Sequence, residues 1–419
     1  MREQNTSDTG YSRYLAVHLC ICASLQLMPG FRGVTQALRT HERASIMNDT
    51  ALHNASHNAT DPAQAPAPLD AAQAAKAAFA SVADKPFPDD IFTAPHLRWA
   101  VIGCGVIANQ MAQSLALAGR TLAGVANRTL PKAEAFAKAY GIPKVYKTCE
   151  ELYADPSVDA IYITTPHNTH IHYLRGALAA GKHVLCEKAI TLNSEELAEA
   201  RAIAREHGVQ LMDATTILHM PLYRELRRRA AAGDFGPFNL AQVNFGSYKE
   251  YGDYTNRFYN PKLAGGAMLD IGVYALSAAR LFMASQPTEV VSLANKAKTG
   301  VDQTSGFVTR NAEGQIGVFS LSLHSKQPKR VALSFDRCYV EIENYPRADR
   351  ATIVWTADGH REVVQAGVEA YALCYEMADL EAAVAGDASR AELLDYAADV
   401  MDIMTRLRRD WGVVYPEEQ

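Results

Sequence analysis

Three side chains have the chemistry to move a proton: Lys188 and, about 80 residues later, the pair Asp270 and Tyr274. Lys188 follows the apolar segment 183–187, and a lysine at the carboxyl end of a strand could donate to a hydroxyl or carbonyl oxygen. Asp270 and Tyr274 are four residues apart, so a helix would place both on one face. A tyrosine hydroxyl can act as general acid or base, and we expect a nearby Lys188 ammonium to lower its pKa from about 10. An ionised Asp270 would oppose that shift, which favours a role in orienting Lys188 or a bound hydroxyl.

A glycine-rich turn precedes these residues, between a predicted strand and a predicted helix. Residues 103–108 read Gly-Cys-Gly-Val-Ile-Ala. Gly103 permits a tight turn, Gly105 lets a pyrophosphate approach the backbone, and Ala108 lets the helix pack close to the strand. The helix start offers free N–H groups and a positive dipole end to phosphates. The pattern predicts a dinucleotide site contacted by Gly103, Gly105, Val106, Ile107 and Ala108.

The ends of the next strands supply further candidate cofactor contacts. The second strand ends at Asn127-Arg128, where a site that prefers NAD would place an acid for the ribose 2′-hydroxyl. An arginine there can pair with a 2′-phosphate, which favours NADP, although NAD stays possible. The third and fourth strand ends add Thr165, Pro166, His167, His170, Glu187 and Lys188. His170 has an equally good interpretation as a structural histidine.

Short apolar strands alternate with helices from residue 98 to about 215. Strands are predicted at 98–102, 121–126, 159–164, 183–187 and 209–213, and helices at 107–118, 131–140, 149–154, 168–180 and 194–207, with Ser194 as a helix cap. This alternation indicates an α/β fold with a parallel, doubly wound sheet, the Rossmann arrangement.

The second half has a different pattern. Strands are predicted at 239–248, 301–310, 315–325, 329–335, 338–343, 351–356 and 361–364, and helices at 221–232, 266–284, 370–386 and 390–410. Hairpin turns at 311–314 and 357–359 predict antiparallel pairing, hence an α+β domain with a mostly antiparallel open sheet. An open sheet face often pairs with a second copy.

Composition excludes several classes of protein. The net charge of −5 and the lack of a basic run with interleaved aromatics argue against a nucleic-acid partner. The seven cysteines form no C-x-x-C pair or zinc-type cluster, so we predict no metal site and a reducing, cytoplasmic location. The apolar run 14–27 is too short and polar to span a membrane.

Residues 1–96 are predicted to lie outside the fold. The stretch 48–90 is rich in Ala, Pro, Asn and His, a composition typical of a linker or disordered segment. Met47 could be the true start, and an export signal or a tethering extension are the alternatives.

Taken together, these motifs resemble the Gfo/Idh/MocA oxidoreductases over residues 97–415. The resemblance is carried by residues 103–108, Thr165-Pro166-x-x-x-His170, the segment 180–188 ending in Glu187-Lys188, and Gly265-Gly266-x-x-x-Asp270-x-Gly272-x-Tyr274. It implies a Rossmann domain at 97–215 and a substrate-binding domain at 216–415. It also implies a homodimer or homotetramer formed through the second sheet, and oxidation or reduction of sugars, inositols and related diols with NAD(P).

Two positions depart from the family pattern. Ala189 replaces the usual proline after Lys188, and Tyr274 stands where many members have histidine. In having tyrosine at this position, the chain resembles the branch of dihydrodiol dehydrogenases, xylose dehydrogenases and glucose–fructose oxidoreductases. In that branch the matching tyrosine exchanges the proton and the lysine assists it. The resemblance therefore implies hydride transfer between NADP and a CH–OH carbon of a sugar, polyol or cyclic diol. Further substrate contacts are predicted at His167, His219, Arg257 and Tyr259.

Two other functions are compatible with the sequence. Some members of the family use tightly held NAD to cleave glycosides through transient oxidation, and others have become cofactor-binding regulators without catalysis. Arg128 and Tyr274 disfavour the first alternative, and the intact Lys188, Asp270 and Tyr274 disfavour the second.

Overall fold

The computed structural model describes residues 88, 91–250, 252 and 254–419. The predictions about Met47 and an export signal therefore lie outside the described residues. Ile91 and Phe92 already pack against the core, and the Arg120 guanidinium lies 4.4 Å from the centre of the Phe92 ring. The described fold thus begins a few residues before the predicted boundary at 97.

A six-stranded parallel sheet lies at the centre of the first half. Its strands are β1 (Trp99–Ile102), β2 (Gly124–Ala126), β3 (Val145–Tyr146), β4 (Ala160–Ile163), β5 (His183–Cys186) and β6 (Leu211–Asp213). Their order is β3-β2-β1-β4-β5-β6, with every neighbouring pair parallel. This is the doubly wound topology in which ligands bind beyond the carboxyl ends of the strands.

Helices cover both faces of this sheet. They are α1 (Val106–Leu117), α2 (Leu130–Tyr140), α3 (Cys149–Tyr153), α4 (His170–Ala179) and α5 (Ser194–Glu206). Strand β1 shows why a helix layer is needed on each face of the sheet, because its alternate side chains point to opposite faces. Trp99 and Val101 pack with α1 and α2, whereas Ala100 and Ile102 pack with α4 and α5.

An eight-stranded open sheet dominates the second half. Its strands are β7 (Phe238–Gly246), β8 (Glu289–Lys296), β9 (Asp302–Arg310), β10 (Ile316–Ser322), β11 (Gln327–Phe335), β12 (Cys338–Glu343), β13 (Arg350–Trp355) and β14 (Arg361–Gln365). The order is β14-β13-β12-β11-β7-β10-β9-β8, and β7 pairs in parallel with β10 while the other pairs are antiparallel. The predicted fold class is confirmed.

The remaining helices close the second half and return to the first. They are α6 (Pro221–Ala231), α7 (Val273–Arg280), α8 (Ala372–Val384), α9 (Ala388–Ala391) and α10 (Leu393–Asp410). Helix α8 completes the cover of the first sheet, because Leu373 and Met377 share a core with Trp99. The Glu381 carboxylate accepts the Trp99 indole N–H at 2.9 Å, and Glu381 is also paired with Arg120. None of the described helices is both long and apolar enough to cross a membrane.

Several predicted elements need correction. Strands β3 and β8 were not predicted, since β3 has only two residues and β8 leaves Val291 and Leu293 exposed. Helix α5 is capped by Asn193, whose side chain accepts the Glu196 N–H, so the cap predicted at Ser194 is wrong. The helix predicted at 266–284 is instead a π-helical turn, Met268–Gly272, followed by α7. Such turns widen a helix locally and are frequent at functional sites.

Candidate active site

The glycine turn after β1 leaves a helix start free for an anion. Gly103 has a φ of +106°, its N–H donates to the Ala126 carbonyl at 2.9 Å, and a Cβ there would lie 2.6 Å from Thr164 Oγ1. Gly105 caps α1 with no side-chain acceptor and no acid in the first turn, and a Cβ there would meet nothing within 4 Å. Open space above uncapped N–H groups fits a pyrophosphate.

Asn109 holds this turn in place, a role that the sequence did not reveal. Its amide donates to the Gly105 carbonyl at 2.8 Å, and its own oxygen accepts the Tyr140 hydroxyl at 2.8 Å. Asn109 and Tyr140 lie on helices outside any sequence motif, so only their contacts in the folded chain identify this role.

Asn127 and Arg128 follow β2, as predicted. The Asn127 amide donates to the Thr129 carbonyl at 2.9 Å, which shapes the turn that presents Arg128. Arg128 is exposed and makes no ion pair with another described residue. Its guanidinium is therefore available to an anionic partner from solution.

His170 connects two loops at the carboxyl edge of the first sheet. Its ring is fully buried, with Nε2 at 2.8 Å from the Thr165 carbonyl and Nδ1 at 3.0 Å from the Ala189 carbonyl. The Lys188–Ala189 peptide bond is cis. Because both ring nitrogens face backbone oxygens, His170 positions the loop after β4 and the segment after Lys188. The prediction that it contacts the cofactor directly is corrected accordingly.

Lys188, Asp270 and Tyr274 meet in the folded chain. The Lys188 ammonium donates to the Asp270 backbone carbonyl at 2.6 Å and to its carboxylate at 3.1 Å, and it lies 5.1 Å from the centre of the Tyr274 ring. An ammonium has three donors, so one N–H of Lys188 stays available. The Tyr274 hydroxyl has no hydrogen-bond partner among the described residues. One donor and one hydroxyl are thus left for a substrate oxygen.

The charges of this cluster are fixed by burial and by one another. Burial disfavours ionisation of Asp270, but the Lys188 ammonium and the Arg257 guanidinium outweigh it and lower the Asp270 pKa to about 2. Burial also opposes the charged form of Lys188, yet the Asp270 carboxylate raises the Lys188 pKa above its usual value. At neutral pH the two groups form an ion pair.

The pKa of Tyr274 is raised, which corrects the expected direction. Burial disfavours the phenolate and is the largest effect; Lys188 does lower the pKa, but by less. The hydroxyl therefore keeps its proton at neutral pH and is poised to donate it. His167, buried beside Lys188, has its pKa held well below the usual value by burial and by that ammonium, so its ring is neutral.

The turn before Asp270 is held by a buried carboxylate that the sequence did not single out. Asp302 accepts the Met268 N–H at 2.6 Å at the start of the π-helical turn. Gly266 has a φ of +127°, and a Cβ there would collide with Asp302. A Cβ on Gly265 would lie 2.7 Å from the Arg257 carbonyl. The two glycines therefore allow the close approach that places Asp270 beside Lys188.

Glu187 lies beneath the cluster. Its carboxyl accepts the Tyr162 hydroxyl, and burial raises its pKa. Burial and the nearby Glu187 hold the pKa of Glu376, on α8, well above its usual value. Glu187 thus belongs to a buried polar layer under the site, and the prediction of a direct cofactor contact for it stays a prediction.

Two predicted substrate ligands serve the fold instead. The His219 ring is fully buried, with Nδ1 at 3.0 Å from Asp379 and Nε2 at 2.8 Å from the Asp213 carbonyl. Tyr259 is also fully buried, and its hydroxyl donates to the Leu323 carbonyl at 3.0 Å. Substrate contact by His219 and Tyr259 is therefore wrong. Arg257, by contrast, lies at the site, 3.3 Å from the Asp270 carboxylate, with its side chain 58% exposed.

The segment 413–418 ties the loops of the site together. The Tyr415 hydroxyl donates to the Gly265 carbonyl at 2.7 Å, and Glu418 accepts from Asn193 at 2.9 Å. Arg408, fully buried, pairs with Glu418 at 2.9 Å and donates to the Leu192 carbonyl. Contacts of such long sequence separation leave no local pattern, so sequence analysis missed them.

Tyr415→Phe is expected to lower the free energy of unfolding by about 1–3 kcal/mol, because the buried Gly265 carbonyl loses its partner. Urea denaturation followed by circular dichroism measures the change. Lys138→Ala, exposed in the last turn of α2, is the control and should shift stability by less than about 0.5 kcal/mol. Equal stability of Tyr415→Phe and the unaltered chain would show that the Tyr415 contact is not formed.

Comparison with known proteins places this geometry in a family. Residues 97–215 match the "Oxidoreductase family, NAD-binding Rossmann fold" of Gfo/Idh/MocA proteins, and residues 223–342 match the GFO/IDH/MocA C-terminal domain. This chain belongs to the Gfo/Idh/MocA family. It is accordingly an NAD(P)-dependent dehydrogenase, and the predicted family and enzyme class are confirmed.

The relatives agree with the predicted branch. Trans-1,2-dihydrobenzene-1,2-diol dehydrogenase of Mus musculus is 34% identical over 251 residues, 59% of this chain and 74% of the relative. The Sus scrofa protein of the same name is 29% identical over 338 residues, 77% of this chain and 99% of the relative. A 3-ketoreductase from Actinomadura kijaniata, solved with NADP and TDP-benzene, superposes with a TM-score of 0.65 at 24% identity, covering 75% of this chain and 98% of that chain. The last likeness concerns the fold.

Proposed function

We propose that this protein is an NADP-dependent dehydrogenase that transfers hydride between the nicotinamide and a CH–OH carbon of a sugar, polyol or cyclic diol. The observation that carries the proposal is the Lys188–Asp270–Tyr274 cluster at the carboxyl edge of the sheet that bears the glycine turn. The diol dehydrogenases among the relatives support the CH–OH chemistry.

Each residue of the cluster has one task. The Tyr274 hydroxyl exchanges a proton with the reacting oxygen, since no described residue holds it. The remaining Lys188 N–H donates to that oxygen and stabilises negative charge on it. Asp270 keeps Lys188 charged and aimed, and Arg257 lies on the same carboxylate. NADP, when bound, supplies the hydride acceptor or donor.

NADP is the proposed cofactor because of Arg128. Its exposed guanidinium follows β2, where a ribose 2′-substituent is bound in this topology, and no acid stands beside it in the turn Asn127-Arg128-Thr129. The uncapped start of α1 would hold the pyrophosphate. Thr165, Pro166 and His167 line the edge after β4 and are proposed to lie along the nicotinamide half.

The test is a two-step screen of the full chain. Thermal shifts with NAD, NADP, sugars and cyclic diols first identify ligands, and absorbance of the reduced nicotinamide then reports turnover for each. We expect a larger shift with NADP than with NAD, and turnover of at least one sugar or diol. Stabilisation by NADP with no turnover across the panel would contradict the proposed activity.

We further propose that the open face of the second sheet joins two copies as a homodimer or homotetramer. Paired residues Val291, Val308 and Val318 form an apolar row across β8, β9 and β10. Val291 is 77% and the neighbouring Leu293 82% exposed, which is unusual for large apolar side chains on one patch.

Leu293→Asp is expected to weaken this self-association by about 30-fold or more, as a lost contact of about 2 kcal/mol would. Light scattering across a dilution series measures the effect. Lys298→Glu, in the turn between β8 and β9, changes charge without altering the apolar row and should leave the mass unchanged. A monomer for the unaltered chain at high concentration would contradict the proposed assembly.

A further inference from the structure

The described residues around the candidate site carry more positive than negative charge. Arg257 and Lys249 both stack on Phe258, with the Arg257 Cζ at 4.4 Å and the Lys249 Nζ at 4.3 Å from the ring centre. Cations over an aromatic ring are stabilised without a carboxylate partner. Arg257 also reaches Asp270, so Phe258 connects Lys249 to the catalytic cluster.

A third cation lies near Tyr274, over a neighbouring aromatic ring. The Lys329 Nζ lies 5.0 Å from the centre of the Phe245 ring, and Phe245 packs against Tyr274 with ring centres 6.1 Å apart. Lys249 and Lys329 make no ion pair with any residue in the described part of the chain. Both are half-buried rather than fully solvated.

Among the described residues of this region, the positive charges outnumber the negative ones. Lys188, Arg257, Lys249 and Lys329 are four cations around the Asp270 carboxylate, and Glu187 is the other described acid that acts on Lys188. Glu250, the acid next to Lys249, turns its carboxylate to the Gly252 N–H at 3.0 Å. Burial lowers the pKa of Lys249, and the charges of Arg257, Lys329 and Lys188 lower it further against the pull of Asp270. Like charges gathered at a half-buried site repel one another until an anion binds.

We propose that the substrate carries an anionic group, a carboxylate or a phosphate ester, which Lys249, Arg257 and Lys329 bind beside the reacting CH–OH group. This inference rests on the proposed function, because it places the anion next to the Tyr274 hydroxyl.

The experiment measures binding and turnover separately on the full chain saturated with NADP. The probes are matched sets: D-glucose with D-glucuronate and D-glucose 6-phosphate, and cyclohexane-1,2-diol with its 4-carboxylate. Calorimetry at low salt gives affinities, and reduced-nicotinamide absorbance gives rates. In at least one set we expect the anionic compound to bind about tenfold or more tightly than the neutral one. The carboxylate and phosphate arms identify the anion.

The variants test whether these lysines are responsible. Lys249→Gln or Lys329→Gln should reduce the anionic preference about tenfold, and Lys249→Arg should restore it. Lys298→Gln, which removes a positive charge from the exposed turn between β8 and β9, is the control and should keep the preference. Added salt should weaken the preference, as for any half-exposed charge pair.

The outcomes separate the two proposals. Affinities of neutral and anionic probes that agree within threefold, or a preference that survives the double variant Lys249→Gln/Lys329→Gln, would overturn the anionic substrate. Turnover of neutral compounds without a preference for anionic ones would support the proposed dehydrogenase activity and overturn the anionic substrate. Selective binding of anionic probes with no turnover would overturn the proposed activity and retain the anion site.

Discussion

Tyr274→Phe is expected to lower kcat/KM for CH–OH oxidation by about 10²–10⁴-fold, the usual contribution of a positioned acid or base. The substitution removes only the hydroxyl. The ring should keep its packing against Phe245, with centres 6.1 Å apart, and its place 5.1 Å from the Lys188 ammonium. Cofactor affinity should therefore change little, and the loss should fall on kcat.

The pH dependence gives this prediction a direction. Burial raises the Tyr274 pKa above its ordinary value, so the fraction of phenolate grows as pH increases towards that pKa. Oxidation, which needs a base, should accelerate with rising pH, and carbonyl reduction, which needs the protonated hydroxyl, should slow. Tyr274→Phe should lose this alkaline dependence.

Rates of reduced-nicotinamide formation across pH test both statements. Lys188→Met should show a comparable loss, since it removes the donor to the reacting oxygen and leaves Asp270 buried without its ammonium. Lys138→Ala, exposed in the last turn of α2, controls for the effect of a substitution outside the site. Full turnover by Tyr274→Phe or by Lys188→Met would contradict the mechanism.

Arg128→Ala is expected to raise the KM for NADP by about 10–100-fold while leaving the KM for NAD nearly unchanged. A hydrogen bond to a charged group contributes about 1.5–3 kcal/mol, which corresponds to that range. Arg128 makes no ion pair with another described residue, so the substitution leaves no described acid without its partner. It should therefore remove only the contact of Arg128 with a bound anion.

Steady-state kinetics with both cofactors measure this change. The KM of Arg128→Lys for NADP should lie between those of the unaltered chain and Arg128→Ala, because an ammonium keeps the charge but loses the planar donor pair. Lys138→Ala, which removes a positive charge at the far end of α2, serves as the charge control. An unaltered chain that prefers NAD, or a cofactor ratio that Arg128→Ala does not move, would contradict the assignment.

The sequence predicted the parts of the site that lie at strand ends. Gly103, Arg128 and Lys188 follow apolar strands, and a parallel sheet brings the carboxyl ends of its strands to one edge. The four-residue spacing of Asp270 and Tyr274 placed them on one helical face, although the helix is a π-turn there. The local sequence pattern was enough to predict these residues, because the position of each is set by the single strand or helix that carries it.

Features that depend on distant packing could not be predicted. The Tyr274 pKa moves opposite to expectation because burial outweighs Lys188, and burial is invisible in one sequence. His219 and Tyr259 were assigned to substrate because polar and aromatic types near a motif suggest binding, but their polar atoms face inward. Tyr415 reaches Gly265 across 150 positions of sequence.

The central claim is net hydride transfer from a CH–OH carbon, and one label tests it. A substrate found by the screen is deuterated at the reacting carbon and turned over with NADP. The mass of the recovered cofactor is then measured by mass spectrometry. The proposed function predicts one deuterium on the reduced cofactor for each carbonyl product formed. Unlabelled, oxidised cofactor beside a cleaved glycoside would show transient oxidation instead, and the dehydrogenase assignment would be wrong.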